Sequence, residues 1–377
     1  MNRVRSVDAL RGFVMIVMAL DHVRDFTSNA TVLFQPDDVA RTTVALFFTR
    51  WITHICAPVF MFTAGMGAFF LLQRGRTKSQ VSRFLLTRGL WLLLLEFTAM
   101  RMALTFYHGP ILLEVLWALG WSMIILSALI YLPLSLLAIL SIATICLHNL
   151  ADAVRDGWLW SILHRPGAFP AGGMLVIPGY SIVPWFAVMA AGFCFGHVMT
   201  LEAGARRRWL LRIGLVLTLA FLTIRAIDLY GDPQPWSTAT PGMTVLSFLR
   251  TTKYPPSLDF LLMTLGPAIL LLRWFDGKAF TDSNPLIVFG RVPLFYFVLH
   301  FYVARAISIT IAALRYGHIG FMMTSLPSPN AGYPAGYGIG LGWVYAIWIG
   351  VVLAMYPICK WFMGVKQRRH DWWLSYL

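Results

Sequence analysis

SVDALRGFVMIVMALDHVRDF, residues 6–26, decides how the chain is read. It is apolar enough and long enough to cross a bilayer, since a spanning helix needs about 20 residues. Yet it carries Asp8, Arg11, Asp21, His22 and Asp25. On a helix, positions 8, 11, 15, 18, 22 and 25 fall on one stripe. That stripe reads Asp8, Arg11, Met15, Met18, His22, Asp25. Arg11 and His22 are eleven residues apart, so they share a face at a separation of ~16 Å. Ionisable groups are costly in lipid and face a protein interior or a water cavity. The stripe therefore faces something other than lipid.

The rest of the chain fits that reading. Of 377 residues 58% are apolar and only 12% charged, and the mean hydropathy is +0.70. Soluble domains are about one quarter charged. A water-soluble enzyme, a disordered chain and a disulfide scaffold are all excluded. Cys56, Cys146, Cys194 and Cys359 sit in apolar runs without a CxxC pair and read as free thiols. Apolar runs occur at about 8–28, 45–72, 84–107, 111–131, 133–150, 178–199, 209–229, 257–275, 285–313 and 338–362. The expected fold is all-α: a polytopic transmembrane helical bundle of about ten spans, one integral-membrane domain over 1–377. The first run follows Arg3 and Arg5 but shows no small-residue cleavage site, so it reads as an uncleaved helix.

The net charge of +14 follows from the membrane rather than from nucleic acid. With the N-terminus inside, 17 of the 30 Lys and Arg residues fall on inner segments, including RGRTK (74–78) and ARRRW (205–209). The positive-inside rule then places both termini in the cytoplasm. The outer segments 150–177, 230–256 and 314–337 are rich in Gly, Pro, Trp and Tyr. Long loops of this kind carry function or cover a site.

Several ionisable residues lie within or beside the runs. Asp8 and Arg11 form either a structural ion pair or part of a binding site. His22, flanked by Asp21 and Asp25, suits a general base, because a nearby carboxylate raises basicity and fixes the tautomer. In FTRWITHICAPVFMFTAG (48–65), Arg50 and His54 share a face, and Pro58 should kink the run. His54 is either a second base or acceptor-binding residue, or a partner for a neighbouring helix. In NPLIVFGRVPLFYFVLHFYVAR (284–305), Arg291 lies between Gly290 and Pro293, which suggests an anion site at mid-membrane. Arg291 and His300 are nine apart, on opposite faces of an ideal helix, and His300 reads as polar glue or as a site residue. TTKYPPSLDF (251–260) places Lys253 and Tyr254 at the interface, with Asp259 just inside the helix. Lys253 could snorkel. Glu96, Arg101 and Glu114 suggest a buried network without specific chemistry. Walker, GxGxxG, GxSxG and HExxH motifs are absent, and the His and Cys spacings assemble no zinc site, so no metal is implied.

VRSVDALRGFVMIVMALDH (4–22) resembles the opening of the heparan-alpha-glucosaminide N-acetyltransferase-like membrane proteins, part of a wider group of transmembrane acyltransferases. Arg11-Gly12, followed by His22 eleven residues after the arginine, matches the pattern of the related acyltransferase type 3 family. The segments 57–65, 184–196, 253–267 and 290–302 look like bacterial members. Residues 27–47 hold no His, so His22 takes the acyltransferase type 3 position.

The resemblance implies acyl transfer from cytosolic acyl-CoA, acetyl-CoA first, to an extracytoplasmic sugar, glycan or lipid-linked acceptor at a bacterial inner membrane. His22, Asp21, Asp25 and His54 are then the catalytic candidates. Asp8, Arg11, Arg50, Lys253, Tyr254, Asp259, Arg291 and His300 are the substrate-binding candidates. The partners are the lipid bilayer, acyl-CoA and the acceptor, without nucleic acid, and a homo-oligomer is left open. The competing readings are a transporter or flippase for a small anionic or lipid-linked substrate, and a membrane scaffold.

Overall fold

Each of the ten apolar runs contains helix, and prolines decide where the long ones break. The computed structural model describes residues 4–154, 157–238, 240–323, 326–329, 331–369 and 371–376, so Arg3 lies outside the described residues. The helices are α1 (Arg5–Thr27), α2 (Val44–Thr53), α3 (Cys56–Gln73), α4 (Lys78–Leu95), α5 (Arg101–Thr105), α6 (Val115–Leu129), α7 (Leu134–Leu147) and α8 (Gly157–Leu163). They continue with α9 (Trp185–Phe195), α10 (Ala203–Ile227), α11 (Pro241–Leu249), α12 (Leu258–Asp276), α13 (Pro285–Arg291), α14 (Pro293–Tyr316) and α15 (Leu341–Arg368).

Pro58 has no N–H to give the carbonyl of His54, and the break between α2 and α3 falls at His54–Ile55. Pro293 pushes Val292 out of the helical region, to φ −128° and ψ 49°, which separates α13 from α14. A π-helical segment, Glu96–Met100, separates α4 from α5.

Among the described residues, six helical stretches are long and apolar enough to cross a membrane: 44–73, 134–151, α10, α12, α14 and α15. The other four predicted runs are helical but shorter or more charged. Helix α1 carries its ionisable stripe, α4 is interrupted, α6 has 15 residues and α9 has 11. Exposure separates the bundle's centre from its rim. Helices α3 and α12 are mostly buried, whereas α7, α10 and α15 turn residues such as Ile139, Val216 and Leu353 outward. Such continuous apolar faces suit lipid.

The all-α expectation needs one correction. Residues 111–113, read as the start of a helix, form strand β1 (Ile111–Leu113). It pairs in parallel with β3 (Met174–Pro178), and β2 (Phe169–Ala171) pairs antiparallel on the far side of β3. Gly172 and Gly173 turn the β2–β3 hairpin with φ of 57° and 76°, the left-handed pair a two-residue hairpin prefers. Gly179 and Tyr180 then donate their N–H groups to the Leu113 carbonyl, both at 3.0 Å.

Helix α1 is central and packs on α3, α12, α13, α14 and α15. Its contact with α13 rests on reciprocal glycines. A Cβ on Gly12 would lie 1.8 Å from the Leu286 carbonyl oxygen, and one on Gly290 would lie 1.8 Å from that of Asp8. Only backbone fits at either point, which gives the Arg-Gly pair of the α1 sequence a physical reason. Gly12→Ala is expected to destabilise the protein by about 1–3 kcal/mol, the usual cost of overpacking. Thermal unfolding in detergent measures this, and an unchanged midpoint would refute the close approach.

Candidate active site

The last two turns of α1 begin the site. Asp21 is buried and fully engaged. Arg50 donates to both its oxygens at 2.8 and 2.9 Å, Thr53 Oγ1 donates at 2.7 Å, and Arg24 pairs with it at 2.7 Å. Arg24 also reaches Asp25 at 2.6 Å. These contacts tie α2 to α1.

His22 instead faces α14. Its Nδ1 is 2.6 Å from His300 Nε2, and His300 Nδ1 is 2.9 Å from the Tyr296 carbonyl oxygen. A carbonyl only accepts, so His300 Nδ1 carries a proton and its Nε2 offers a lone pair. His22 Nδ1 must then donate, which leaves the His22 Nε2 lone pair unused by any described residue. The Phe301 ring lies 3.9 Å from the imidazole, centroid to centroid, and holds its plane.

His22 opens on a chamber of about 190 Å³. Its walls include Asp25, Arg50, Glu96, Glu114, Tyr180, Lys253, Tyr254 and Phe297. Lys253 is 9% exposed, and its ammonium lies 5.7 Å from the Tyr180 ring and 5.1 Å from the Tyr254 ring. Glu96 caps α6: its two carboxylate oxygens accept from the Glu114 and Trp117 N–H groups at 2.9 and 3.1 Å.

At the other end of α1 is a cationic mouth of about 550 Å³. Arg11, Arg88, Arg291 and Lys366 line it, and among the described wall residues Asp282 is the acidic one. Asp8 holds Arg11 at 3.5 Å and Arg291 at 3.9 Å, and Asp282 pairs with Arg291 at 2.8 Å. Between mouth and chamber lies an apolar cavity of about 270 Å³ lined by Met15, Phe60, Ala64, Gly67, Leu119 and Met123 among others. It shares Arg11, Arg88 and Pro293 with the mouth, and Val115 and Phe297 with the chamber. The three spaces follow one another along α1, from Arg11 past Met15 to His22.

The family model described as heparan-alpha-glucosaminide N-acetyltransferase, catalytic, matches residues 3–231, well over half of the chain. The chain belongs to this family. A comparison with curated proteins found no match. Membership in the heparan-alpha-glucosaminide N-acetyltransferase catalytic family implies acetyltransferase activity, and with the six apolar stretches it marks an integral membrane protein. The match contains Arg11, His22, Arg50, Arg88, Glu96, Glu114 and Tyr180. The fold adds Lys253, Tyr254, Arg291, Phe297 and His300 from beyond it.

Against this geometry some sequence candidates move. Asp21 and Asp25 do not hydrogen-bond the His22 ring; His300 fixes its tautomer instead. His54 is buried against Phe260, with ring centroids 5.3 Å apart, and does not line the chamber. Asp259 sits 3.9 Å from Arg225, whose guanidinium donates to the carbonyls of Gln234, Ser247, Phe248 and Arg250. Asp259 thus belongs with the anchoring of the 230–256 segment rather than with the chamber. Arg291 lies at the mouth and not at mid-bundle, because α13 ends there and is drawn onto Asp8 by the glycine contact.

Sequence reasoning missed Tyr180, Phe297, Phe301, Arg88 and Lys366 as site residues, and saw no chemistry in Glu96 and Glu114. For Glu114 a signal existed: a carboxylate directly before an apolar helix start, beside the Gly109-Pro110 break.

Proposed function

We propose that the protein transfers an acyl group, acetyl first, from acyl-CoA to an amine or hydroxyl of a sugar, glycan or lipid-linked acceptor. The observation that supports this most is the continuity of cationic mouth, apolar passage and histidine chamber along α1. CoA has the matching chemistry in the same order. Its phosphates suit guanidinium forks at the mouth, its pantetheine arm suits the apolar passage, and its thioester then reaches His22.

In the chamber, His22 Nε2 takes the proton as the acceptor heteroatom attacks the thioester carbonyl. His300 accepts from Nδ1 and keeps the imidazolium oriented. The Lys253 ammonium, held on two tyrosine faces, stabilises the oxyanion of the tetrahedral intermediate. Collapse breaks the C–S bond, and His22 returns its proton to the CoA thiolate. Among the described residues lining the chamber there is no Cys or Ser, which favours direct transfer. The mouth faces the cytoplasm and the chamber opens to the other side of a bacterial inner membrane. All ten helical runs then cross or enter the bilayer, with both termini inside.

The test is release of free thiol from acetyl-CoA by purified protein with glucosamine-terminated and hydroxyl acceptors. Gly67→Leu tests the passage separately. A Cβ at Gly67 meets no atom within 4 Å, so a side chain there starts in open space at the wall of the cavity. Turnover is expected to fall at least tenfold, while replacing a helical glycine leaves stability the same or about 1 kcal/mol higher. Wild-type turnover in Gly67→Leu would show that the donor takes another route.

A further inference from the structure

A second constellation lies away from α1, where α7 runs into the loop that carries α8. His148 at the end of α7, Asp152 one turn later and His164 just after α8 each offer a donor atom, all within 4.8 Å of one another. His164 Nε2 is 2.7 Å from Asp152 Oδ1, and the other Asp152 oxygen accepts from Asn149 Nδ2 at 2.8 Å. His148 is 6% exposed and neither of its ring nitrogens has a hydrogen-bond partner. His164 is 1% exposed and its Nδ1 has none either. The two rings stand edge to face, with centroids 5.4 Å apart.

A neutral imidazole has one N–H and one lone pair, so His148 leaves both unsatisfied in the interior. Native proteins rarely tolerate that unless an ion or water completes the site. Two imidazoles and a carboxylate are the donor set of a zinc-type centre. We propose that His148, Asp152 and His164 bind Zn²⁺, with water in the fourth position. Tetrahedral bonds of ~2.1 Å set donor separations of roughly 3.4 Å. The 2.7 Å contact must therefore open slightly and the wider ones close, by side-chain rotation.

Asn149 is the supporting residue: it holds Asp152, and its own carbonyl oxygen accepts the Leu258 N–H at 2.9 Å. The Ile162 and Leu163 carbonyls beside His164 accept from Ile182 and Val183 at 3.0 and 2.7 Å. The ion thus braces the segment that presents Tyr180 to the chamber. Sequence spacing alone implied no metal, because the two histidines are sixteen residues apart and meet only through α8. The site rests on its own donor atoms and does not depend on acyl transfer.

The experiment uses the full chain in detergent without a polyhistidine tag, loaded with ZnCl2 and dialysed against metal-free buffer. Wild type is expected to retain about one Zn²⁺ per chain, and His148→Gln and His164→Gln to retain roughly a tenth or less. Chelation should lower the wild-type unfolding temperature, Zn²⁺ should restore it, and neither treatment should move the variants. Should the variants not fold, Co²⁺ titration of wild type decides: a tetrahedral visible band supports the site, and its absence overturns it. Zinc retained equally by wild type and both variants overturns the proposal, as does a wild type that retains none and shows no thermal response.

Discussion

His22→Ala is expected to lower acyl transfer by about 10²–10⁴-fold, the range lost when a positioned general base is removed. Binding of acyl-CoA should be nearly unchanged, because the donor's phosphates sit some three turns of α1 away. The effect therefore appears in kcat and not in the donor's Kd. His300→Ala should give a smaller loss. Without the acceptor on its Nδ1, the His22 ring is free to present the wrong nitrogen, so some turnover survives. Thiol-release kinetics and calorimetric acyl-CoA binding on the same preparations separate the two. A His22→Ala protein that folds and turns over at the wild-type rate would remove the base from the mechanism altogether.

That pair also shows where sequence stops being informative. The α1 stripe was legible because helical period is a local property. Arg11, Met15 and His22 line the mouth, the passage and the chamber in the order their spacing gives. What closes on the stripe is not local. His300 is 278 residues from His22, and its role depends on the crossing of α14 over α1. Arg291 was read at mid-membrane because Gly290 and Pro293 mark a helix break within the run 285–313. The break is there, at Val292, but the Gly12–Gly290 contact, which depends on how α13 meets α1, holds Arg291 beside Asp8 at the mouth. Lys253 looked free to snorkel, since nothing in TTKYPPSLDF shows that Tyr180 arrives beside it from another segment. Residues 111–113 show the same limit. Their apolar character fits a helix start, and only pairing with Met174–Pro178, sixty residues on, makes them a strand.

The mouth carries the second large effect. Arg11→Ala combined with Arg88→Ala is expected to weaken acyl-CoA binding by about 10²–10⁴-fold. The figure follows from roughly 1.5–3 kcal/mol for each hydrogen bond to a charged group. Among the described residues the wild-type mouth carries four cations, with Asp282 in its wall and Asp8 behind Arg11 and Arg291, and a polyphosphate neutralises the remaining positive charge where a neutral ligand does not. Acetyl-pantetheine, which has the thioester and the arm but no phosphate, should therefore bind wild type and the double variant alike. Salt should weaken acyl-CoA and leave acetyl-pantetheine unaffected, since exposed charge pairs are screened within about 10 Å at 0.1 M. Equal loss of both ligands would mean that the substitutions deform the passage, and the phosphate assignment would fail. Loss of acyl-CoA alone would fix the direction of entry, from the mouth along α1 to the chamber. The acceptor must then approach His22 from the opposite end.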